Sequence, residues 1–308
     1  MAMSEPMSEL ASETEAAPDS RSRGSDAHFE TQYAAYRREK RVYAFLFGAV
    51  FLICLVAAAI TAKFDVVRLI QGLPRTTEFL EKLVPPIGLA TFAHDMREWY
   101  WGIGNWLDSL LNTLLMAFLA TVLGTAIGGF LSFFAARNLA KRYLVYWVMR
   151  RVLEIARTVP DIVWALMFVI AFGIGPLAGI LAITVHTIGA QGKLFAEVNE
   201  NISPLPIDGV RAAGGTWFQE IRFAVLPQVI PNYMSYTFWR LELNVRSATI
   251  VGFVGAGGIG RDLFTSVQLL YFSDVGAILL IVVSTIMLID VLSEMFRHSA
   301  IGKASFAQ

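Results

Sequence analysis

The sequence predicts an all-α membrane protein with about six transmembrane helices. Hydrophobic residues make up 56% of its 308 residues and charged residues only 16%, and the mean hydropathy is +0.56. A soluble domain of this length carries more charge, because charged side chains normally cover its surface. The formal net charge is zero, which gives no general attraction to nucleic acid.

Six apolar runs are long enough to cross the bilayer hydrocarbon, which is roughly 30 Å thick and takes about 20 helical residues. The sequence has a single cysteine, Cys54, in the first run. One cysteine excludes an intrachain disulfide and any cysteine-based metal site. We expect Cys54 to serve packing and expect no metal site. The six runs lie near residues 42–62, 107–136, 148–172, 177–192, 229–254 and 275–296.

The segments that flank these runs divide the chain. Residues 1–36 are rich in Ser, Glu, Ala and Asp and have too little apolar surface to offset the entropy of ordering, so we expect a disordered cytoplasmic tail. The next run begins too far along the chain for a secretory signal and predicts a retained anchor. The remaining segments are a first transmembrane helix at 37–62, an external amphipathic segment at 63–104, a helical core at 105–296 with a cytoplasmic loop at 193–228, and a cytoplasmic tail at 297–308.

Basic residues predict which side of the membrane each connection faces. Positive charge is retained on the cytoplasmic side, so both termini and the loop at 193–228 are expected to be cytoplasmic. The residues that carry this prediction are Arg37, Arg38, Lys40 and Arg41 before the first run, Arg137, Lys141, Arg142, Arg150 and Arg151 between the second and third runs, and Arg297 and Lys303 after the last.

The external segment at 63–104 mixes both signs of charge and cannot span the bilayer. It contains Pro74 and an aromatic cluster at residues 99–101. Aromatic side chains of this kind favour the interface between headgroups and water. Two interpretations stay open, an interfacial segment and a docking site for an external partner.

A polar stretch between the fourth and fifth runs has the turn chemistry of two short helices set at a bend. Asp208 is expected to cap the first helix, and Gly214 with the glycine after it to form the corner. Thr216 and Gln219 have the spacing of a capping box that opens the second helix, which we expect Pro227 to end.

This stretch resembles the cytoplasmic coupling loop of ABC importer permeases. In that family Glu-Ala-Ala is followed by Gly six positions after the Glu, and by Leu-Pro twelve and thirteen positions after the Gly. Gly214 and Leu226-Pro227 fall at those spacings, whereas Asp208-Gly209-Val210 replaces Glu-Ala-Ala and Ala224 replaces an Ile. The alternative is an ordinary amphipathic loop between spans. The resemblance implies that the first short helix docks on a separate ATPase through Asp208, Gly209, Val210, Arg211, Ala212, Ala213 and Gly214.

Four polar residues, Arg240, Glu242, Asn244 and Arg246, lie within the fifth apolar run. Such groups are costly in hydrocarbon and usually face a bundle interior or a wet cavity. Glu242 and Arg246 are one helical turn apart and can pair, which leaves Arg240 without an obvious local partner. One interpretation is that the four residues line a translocation pathway in which a guanidinium holds an oxyanion. The other is an internal network that only holds helices together.

Residues 255–260 match the G-x-G-x-x-G pattern of dinucleotide-binding proteins. That fold needs a βαβ unit of about 30 residues around the glycines, whereas here one apolar run ends just before them and another begins soon after. We therefore expect a glycine-rich hinge between helices. The sequence has no G-x-x-x-x-G-K-[ST] phosphate loop, so hydrolysis of nucleotide by that route is excluded.

The third run contains Asp161 and the fourth contains His186, and the sequence suggests a local role for each. His186 has no second His or Cys at ligand spacing, so we expect a hydrogen-bonded polar group in preference to a metal ligand. Asp161 follows Pro160 and lies four residues from Arg157, which predicts a local ion pair beside a helix break.

Over residues 105–296 the chain resembles the permease subunit of phosphonate ABC importers, apart from Gln191, which stands where a Leu is expected. The stretches that carry the resemblance are 112–117, 135–138, 157–164, 186–189, 192–197 and 246–260, the last being the most specific.

The resemblance implies a type I ABC importer permease fold, a separate ATPase that uses ATP-Mg, and an external substrate-binding protein. The chain itself then binds no cofactor, and the substrate is a phosphonate or a related oxyanion such as phosphite or phosphate. The chain has one coupling loop and an ATP sandwich uses two ATPase subunits, so two permease chains are needed, most simply as a C2 homodimer. The alternatives are an importer of another small solute and a secondary transporter, although the inverted repeats of the latter are not found.

Overall fold

The computed structural model describes the backbone of residues 20–305 and the side chains of residues 33 and 36–295. Within those residues the regular elements are all helical. They are α1 Ser20–Thr61, α2 Val66–Leu83, α3 Phe92–Trp99, α4 Ile103–Ala135, α5 Tyr143–Thr158, α6 Asp161–Phe172, α7 Pro176–Glu200, α8 Leu205–Ala212, α9 Trp217–Gln219, α10 Leu226–Val251, α11 Ile259–Gln268 and α12 Phe272–Ser305.

The chain divides into two compact units, Met1–Pro74 and Arg75–Gln308. The first unit contains α1, which is helical from Ser20 and therefore includes the second half of the predicted tail. Residues 1–19 lie outside the described part, so the disordered tail stays a prediction there. The second unit contains the helices that position the sites described below.

Three helical segments are long and apolar enough to cross a bilayer in the described residues, Tyr36–Thr61, Ile103–Ala135 and Phe272–Met295, and the bent pair α5–α6 makes a fourth. The sequence led us to expect six. α7 and α10 have 25 and 26 residues, which is sufficient length. Neither is apolar enough to count as a span, because each contains charged and amide side chains. Such side chains are tolerated in a membrane protein where they face neighbouring helices or cavities.

Small residues let α4 and α7 approach closely. A side chain at Gly128 of α4 would begin 2.9 Å from the carbonyl oxygen of Ile188 and 3.0 Å from the amide nitrogen of Gly192, both on α7. On the same face of α7, Phe195 stacks on Tyr233 of α10 with ring centroids 3.7 Å apart. The seam between α4 and α7 therefore depends on glycine, as close helix packing in membranes commonly does.

The span formed by α5 and α6 is broken, and its two halves meet at 88°. Val159 has an extended backbone, with φ −74° and ψ 123°, and Pro160 follows it. Proline has no N–H to donate and disfavours helical geometry in the residue before it. The break therefore leaves the Val159 carbonyl without an intrahelical partner.

The glycines at 255–260 follow a helix, which confirms that they do not follow a strand. α10 is followed by Gly252–Ala256, in which Val254 and Gly255 leave helical geometry, and Gly255, Gly257 and Gly258 adopt positive φ of 99°, 84° and 69°. α11 then begins where the Ile259 amide donates to the Thr113 hydroxyl of α4 at 2.9 Å. The segment is a turn between helices, in agreement with the predicted hinge geometry.

The aromatic cluster of the predicted external segment packs on the start of α12. Trp99 is buried, and its indole N–H donates to the Ser273 carbonyl at 2.9 Å. Trp101 is exposed and donates to the Asp274 carboxylate at 3.1 Å. Part of this segment is thus tied to the core, and its location outside the membrane stays a prediction.

Candidate coupling surface and polar cluster

α8 begins earlier than the sequence indicated. It starts at Leu205 after Pro204, so Asp208 lies in the first turn and the prediction that Asp208 caps the helix is wrong. The amide of Asp208 already donates to the Pro204 carbonyl at 3.0 Å. The Asp208 carboxylate instead lies 3.7 Å from the Arg211 guanidinium.

The corner after α8 has the predicted geometry. Gly214 has φ +79°, and its amide donates to the Arg211 carbonyl at 2.9 Å, while the Gly215 amide donates to the Val210 carbonyl at 2.9 Å. A left-handed glycine that satisfies the last carbonyls is a common end for a helix. The predicted capping box also forms, because the Gln219 side chain accepts from the Thr216 amide at 2.6 Å.

The segment after the corner differs from the prediction at its far end. The short helix α9 continues through a π-helical segment, Glu220–Val225, directly into α10. Pro227 therefore does not end the second helix. It is the second residue of α10, and the helical backbone continues through it from the π-helical segment.

α8 has one buried and one exposed side. Ile207 is buried against Phe133, Leu139 and Val225, and Val210 packs at the margin of the same cluster. The Arg211 guanidinium also lies 3.0 Å from the buried Glu220 carboxylate, and this carboxylate raises the pKa of Arg211. The exposed side, which we call the coupling surface, consists of Asp208, Gly209, Arg211, Ala212, Ala213 and Gly214.

The predicted ion pair on α10 is present. Arg246 and Glu242 are in direct contact, one turn apart. The Glu242 side chain is buried at 7% exposure, whereas the Arg246 side chain is 45% exposed. Arg246 thus stands partly free of the helix bundle although it lies within a predicted span.

Asn244 and Arg240 face the opposite direction, into the bundle. Asn244 is fully buried, and its amide nitrogen lies 2.8 Å from the Thr121 hydroxyl of α4 and 3.0 Å from the Thr187 hydroxyl of α7. Arg240 is 8% exposed and donates through Nε to Thr187 at 3.3 Å. No carboxylate of the described residues lies within 4 Å of its guanidinium, as the sequence led us to expect.

Asp161 pairs with His186, and the predicted pair with Arg157 is wrong. The Asp161 carboxylate lies 2.6 Å from His186 Nδ1, which is also 3.2 Å from the Val159 carbonyl oxygen. The break between α5 and α6 turns Asp161 away from Arg157, which is exposed. Asp161 also interacts electrostatically with Arg240.

The mid-span residues therefore form one connected group, which we call the polar cluster. It joins α4, α6, α7 and α10 and consists of Thr121, Asp161, His186, Thr187, Arg240 and Asn244. The pairing of His186 with Asp161 was not among the predictions from the sequence. The available signal was the proline break, which frees a carbonyl, together with a histidine in the middle of the next run.

Comparison with known proteins places the chain in a family. Residues 128–299, more than half of the chain, match the model of the binding-protein-dependent transport system inner membrane component. The chain is 35% identical over 254 residues to the phosphite transport system permease protein PtxC of Stutzerimonas stutzeri, covering 82% of this chain and 86% of that protein. It is 37% identical over 185 residues to the phosphate-import permease protein PhnE of Mycolicibacterium smegmatis, covering 60% of this chain and 35% of that protein.

Solved structures support the same fold. A MetNI methionine ABC transporter in an inward-facing conformation matches with a TM-score of 0.55 and 22% identity, over 63% of this chain and 95% of that one. A bacterial ABC transporter involved in alginate import matches with a TM-score of 0.57 and 13% identity, over 87% of this chain and 99% of that one. The fold is that of type I ABC importer permeases. The chain belongs to the family of binding-protein-dependent transport system inner membrane components, and it is an ABC importer permease subunit, not an enzyme.

Proposed function

We propose that this permease serves an ATP-driven importer of phosphonate or a related phosphorus oxyanion, phosphite or phosphate. The observation that carries the substrate class is the similarity to PtxC, a phosphite permease, over 82% of the chain. The guanidinium of Arg240 supports an anionic substrate, because it is buried and has no carboxylate within 4 Å among the described residues. A desolvated guanidinium holds tetrahedral oxyanions through paired hydrogen bonds.

The proposed assembly contains two permease chains, two cytoplasmic ATPase subunits and an external binding protein. The coupling surface supports ATPase docking, since α8 is anchored by the buried Ile207 while the residues at its other side are exposed. A helix anchored in this way transmits the movement of a docked partner to the helix bundle against which it packs. The ATPase subunits supply ATP and Mg²⁺, and this chain binds no cofactor of its own.

The proposed location and orientation rest on the retention of basic residues on the cytoplasmic side of the membrane. We place the chain in the bacterial plasma membrane as a multi-pass protein with both termini and the coupling surface in the cytoplasm, because basic residues flank the corresponding connections.

Arg240, Glu242, Asn244 and Arg246 are proposed to contribute to the translocation pathway in different ways. Arg246 is half exposed at a depth where lipid contact would be costly, which favours a water-filled passage beside it. Glu242 holds the Arg246 guanidinium, and Asn244 holds the threonines of two neighbouring helices. We therefore assign substrate contact to the arginines and positioning to Glu242 and Asn244.

Reconstitution tests the proposed function. The complete complex in proteoliposomes, with ATP on the ATPase side, is expected to take up phosphite, phosphate or methylphosphonate only when the ATPase and the binding protein are both present. Uptake without the ATPase would support the secondary transporter. ATP-dependent uptake of another solute class, with no uptake of the three anions, would support an importer of a different specificity.

A further inference from the structure

The break between α5 and α6 opens a cavity beside the polar cluster. Its volume is about 320 Å³, whereas one water molecule occupies about 30 Å³ in the liquid, so a small anion fits together with some of its hydration. Helices α6, α7 and α10 each contribute to the wall. The lining residues are Pro160, Asp161, Ile162, His186, Ser247, Ile250 and Val251.

Both acceptors at this cavity lie against the His186 ring, although Asp161 Oδ1 makes no hydrogen bond of good geometry there. The Asp161 carboxylate contacts His186 Nδ1 at 2.6 Å and also interacts with the Ser247 side chain. The Val159 carbonyl lies 3.2 Å from the same ring nitrogen. Because Nδ1 faces two acceptors, it carries a proton and donates. A cation entering the cavity would have to compete with the imidazole for Asp161.

The second ring nitrogen of His186 is available to a ligand. Nε2 has no hydrogen-bond partner among the side chains that the structure describes, and the His186 side chain keeps 20% of its exposure. Nε2 donates to an oxyanion when the ring is protonated and accepts from a P–OH group when the ring is neutral. Both protonation states of the ring therefore offer a hydrogen bond to a phosphorus oxyacid.

Arg240 provides a second contact on the same side of α10. It precedes Ser247 by seven residues, which is about two turns or 10 Å along the helix towards the coupling loop. A guanidinium has five N–H groups, and Arg240 donates one of them to Thr187. Thr187 follows His186 directly in the sequence of α7. The cavity and Arg240 thus form two successive places for an anion.

We propose that the cavity at the α5–α6 break is a binding site for the transported oxyanion, with His186 Nε2 as the contacting atom. Asp161 is the positioning residue, since its carboxylate lies against Nδ1 and leaves Nε2 without a partner among the described side chains. The anion then passes to Arg240. This site rests on the proposed function and adds to it a stopping point within the membrane.

Two substitutions at one position separate ligand contact from structural support. The amide of His186→Asn replaces Nδ1 and keeps a donor for Asp161, but it places no atom at Nε2. The longer side chain of His186→Gln reaches the Nε2 position. In the reconstituted complex we expect His186→Asn to lower the maximal rate of phosphite uptake about tenfold, the effect of one lost charge-assisted hydrogen bond, and His186→Gln to restore most of it. Wild-type uptake by His186→Asn would overturn the proposal.

A protection experiment tests the site without transport. Diethyl pyrocarbonate modifies accessible imidazole nitrogens, and mass spectrometry reports the extent at each histidine of the wild-type complex. Phosphite is expected to slow modification of His186 severalfold and to leave His94 unchanged, because the His94 side chain is 81% exposed and lies outside the cavity. Equal rates at His186 with and without phosphite would overturn the binding site even if uptake confirms the importer.

Discussion

The coupling surface and the polar cluster differ in where their polar groups find partners. On the coupling surface the backbone shape is fixed by Gly214 and by Ile207 beneath it, while most side chains point away from the protein. In the polar cluster the side chains face other side chains of the protein, because Asn244 and Asp161 contact side chains from other helices.

This difference predicts two kinds of sensitivity. A region that presents its side chains to a partner fails when its backbone changes, whereas single exposed side chains there can be altered with small effect on stability. A region whose side chains hold one another fails when one partner is removed, because the other is left buried without a hydrogen bond.

The largest effect is expected from Gly214→Pro. Proline fixes φ near −65°, whereas Gly214 has φ +79°, and the substitution also removes the amide that donates to Arg211. We expect ATP hydrolysis to continue without oxyanion uptake in proteoliposomes that contain the complete complex. Unchanged uptake would show that the corner does not position the coupling surface.

Gly104→Ala, at an exposed helical position of α4 outside the coupling surface, is the matched glycine control. No atom lies within 4 Å of the position that its Cβ would take, and alanine is the better helix former by roughly 1 kcal/mol. This variant should keep both uptake and coupling. Loss of both would contradict a specific role of the corner at Gly214.

Charge reversal of the two arginines is expected to have the next largest effect. Arg240→Glu replaces the cation that interacts with Asp161 by a like charge, so we expect loss of uptake together with reduced assembly. Arg246→Glu sets a carboxylate against the buried Glu242 and costs stability, but the half-exposed new charge reaches water, so uptake should fall more than assembly. Size-exclusion chromatography reports assembly, and the uptake assay reports transport. Normal uptake in both variants would exclude the two arginines from the pathway.

Asn244→Leu tests the contribution of the polar cluster to the stability of the folded protein. The substitution leaves the Thr121 and Thr187 hydroxyls without their shared amide partner, at a cost of about 1–3 kcal/mol in the free energy of unfolding. Thermal unfolding in detergent measures this change. Thr249→Val is the control, because within the described residues the Thr249 hydroxyl bonds only to the Val245 carbonyl of its own helix. Equal stability of the two variants would contradict the role of Asn244.

Arg211→Ala is expected to have the smallest effect. Its guanidinium is 49% exposed, so the ion pair with Glu220 contributes about 1 kcal/mol or less. The control Arg222→Ala removes an exposed arginine that forms no ion pair in the described part of the chain. Thermal unfolding should separate the two variants only slightly, and a loss of several kcal/mol in Arg211→Ala would mean that the bridge anchors α8.

Local chemistry explains which parts of these regions the sequence predicted. The corner at Gly214, the Thr216–Gln219 box and the Glu242–Arg246 pair each involve residues within four positions of one another. The pairing of Asp161 with His186 depends on an 88° bend and on a histidine 25 residues further along the chain, in α7. Sequence spacing alone does not predict such a contact between two helices.

Two wrong predictions have the same origin. The sequence placed a helix start at Asp208 and a helix end at Pro227, using the preferences of single residues. In the structure Pro204 precedes α8, and Pro227 occupies the first turn of α10, so each helix begins one to three residues before the expected signal. The polar content of α7 and α10 was likewise judged without knowing which helices surround them.

The central claim is that the coupling surface links ATP hydrolysis by a partner to movement of an oxyanion past the polar cluster. The most direct measurement is the amount of phosphite imported per ATP hydrolysed, determined in the same proteoliposomes for the wild-type protein, Gly104→Ala and Gly214→Pro. We predict a constant ratio for the first two and a ratio near zero for Gly214→Pro. The same ratio in all three proteins would contradict the account.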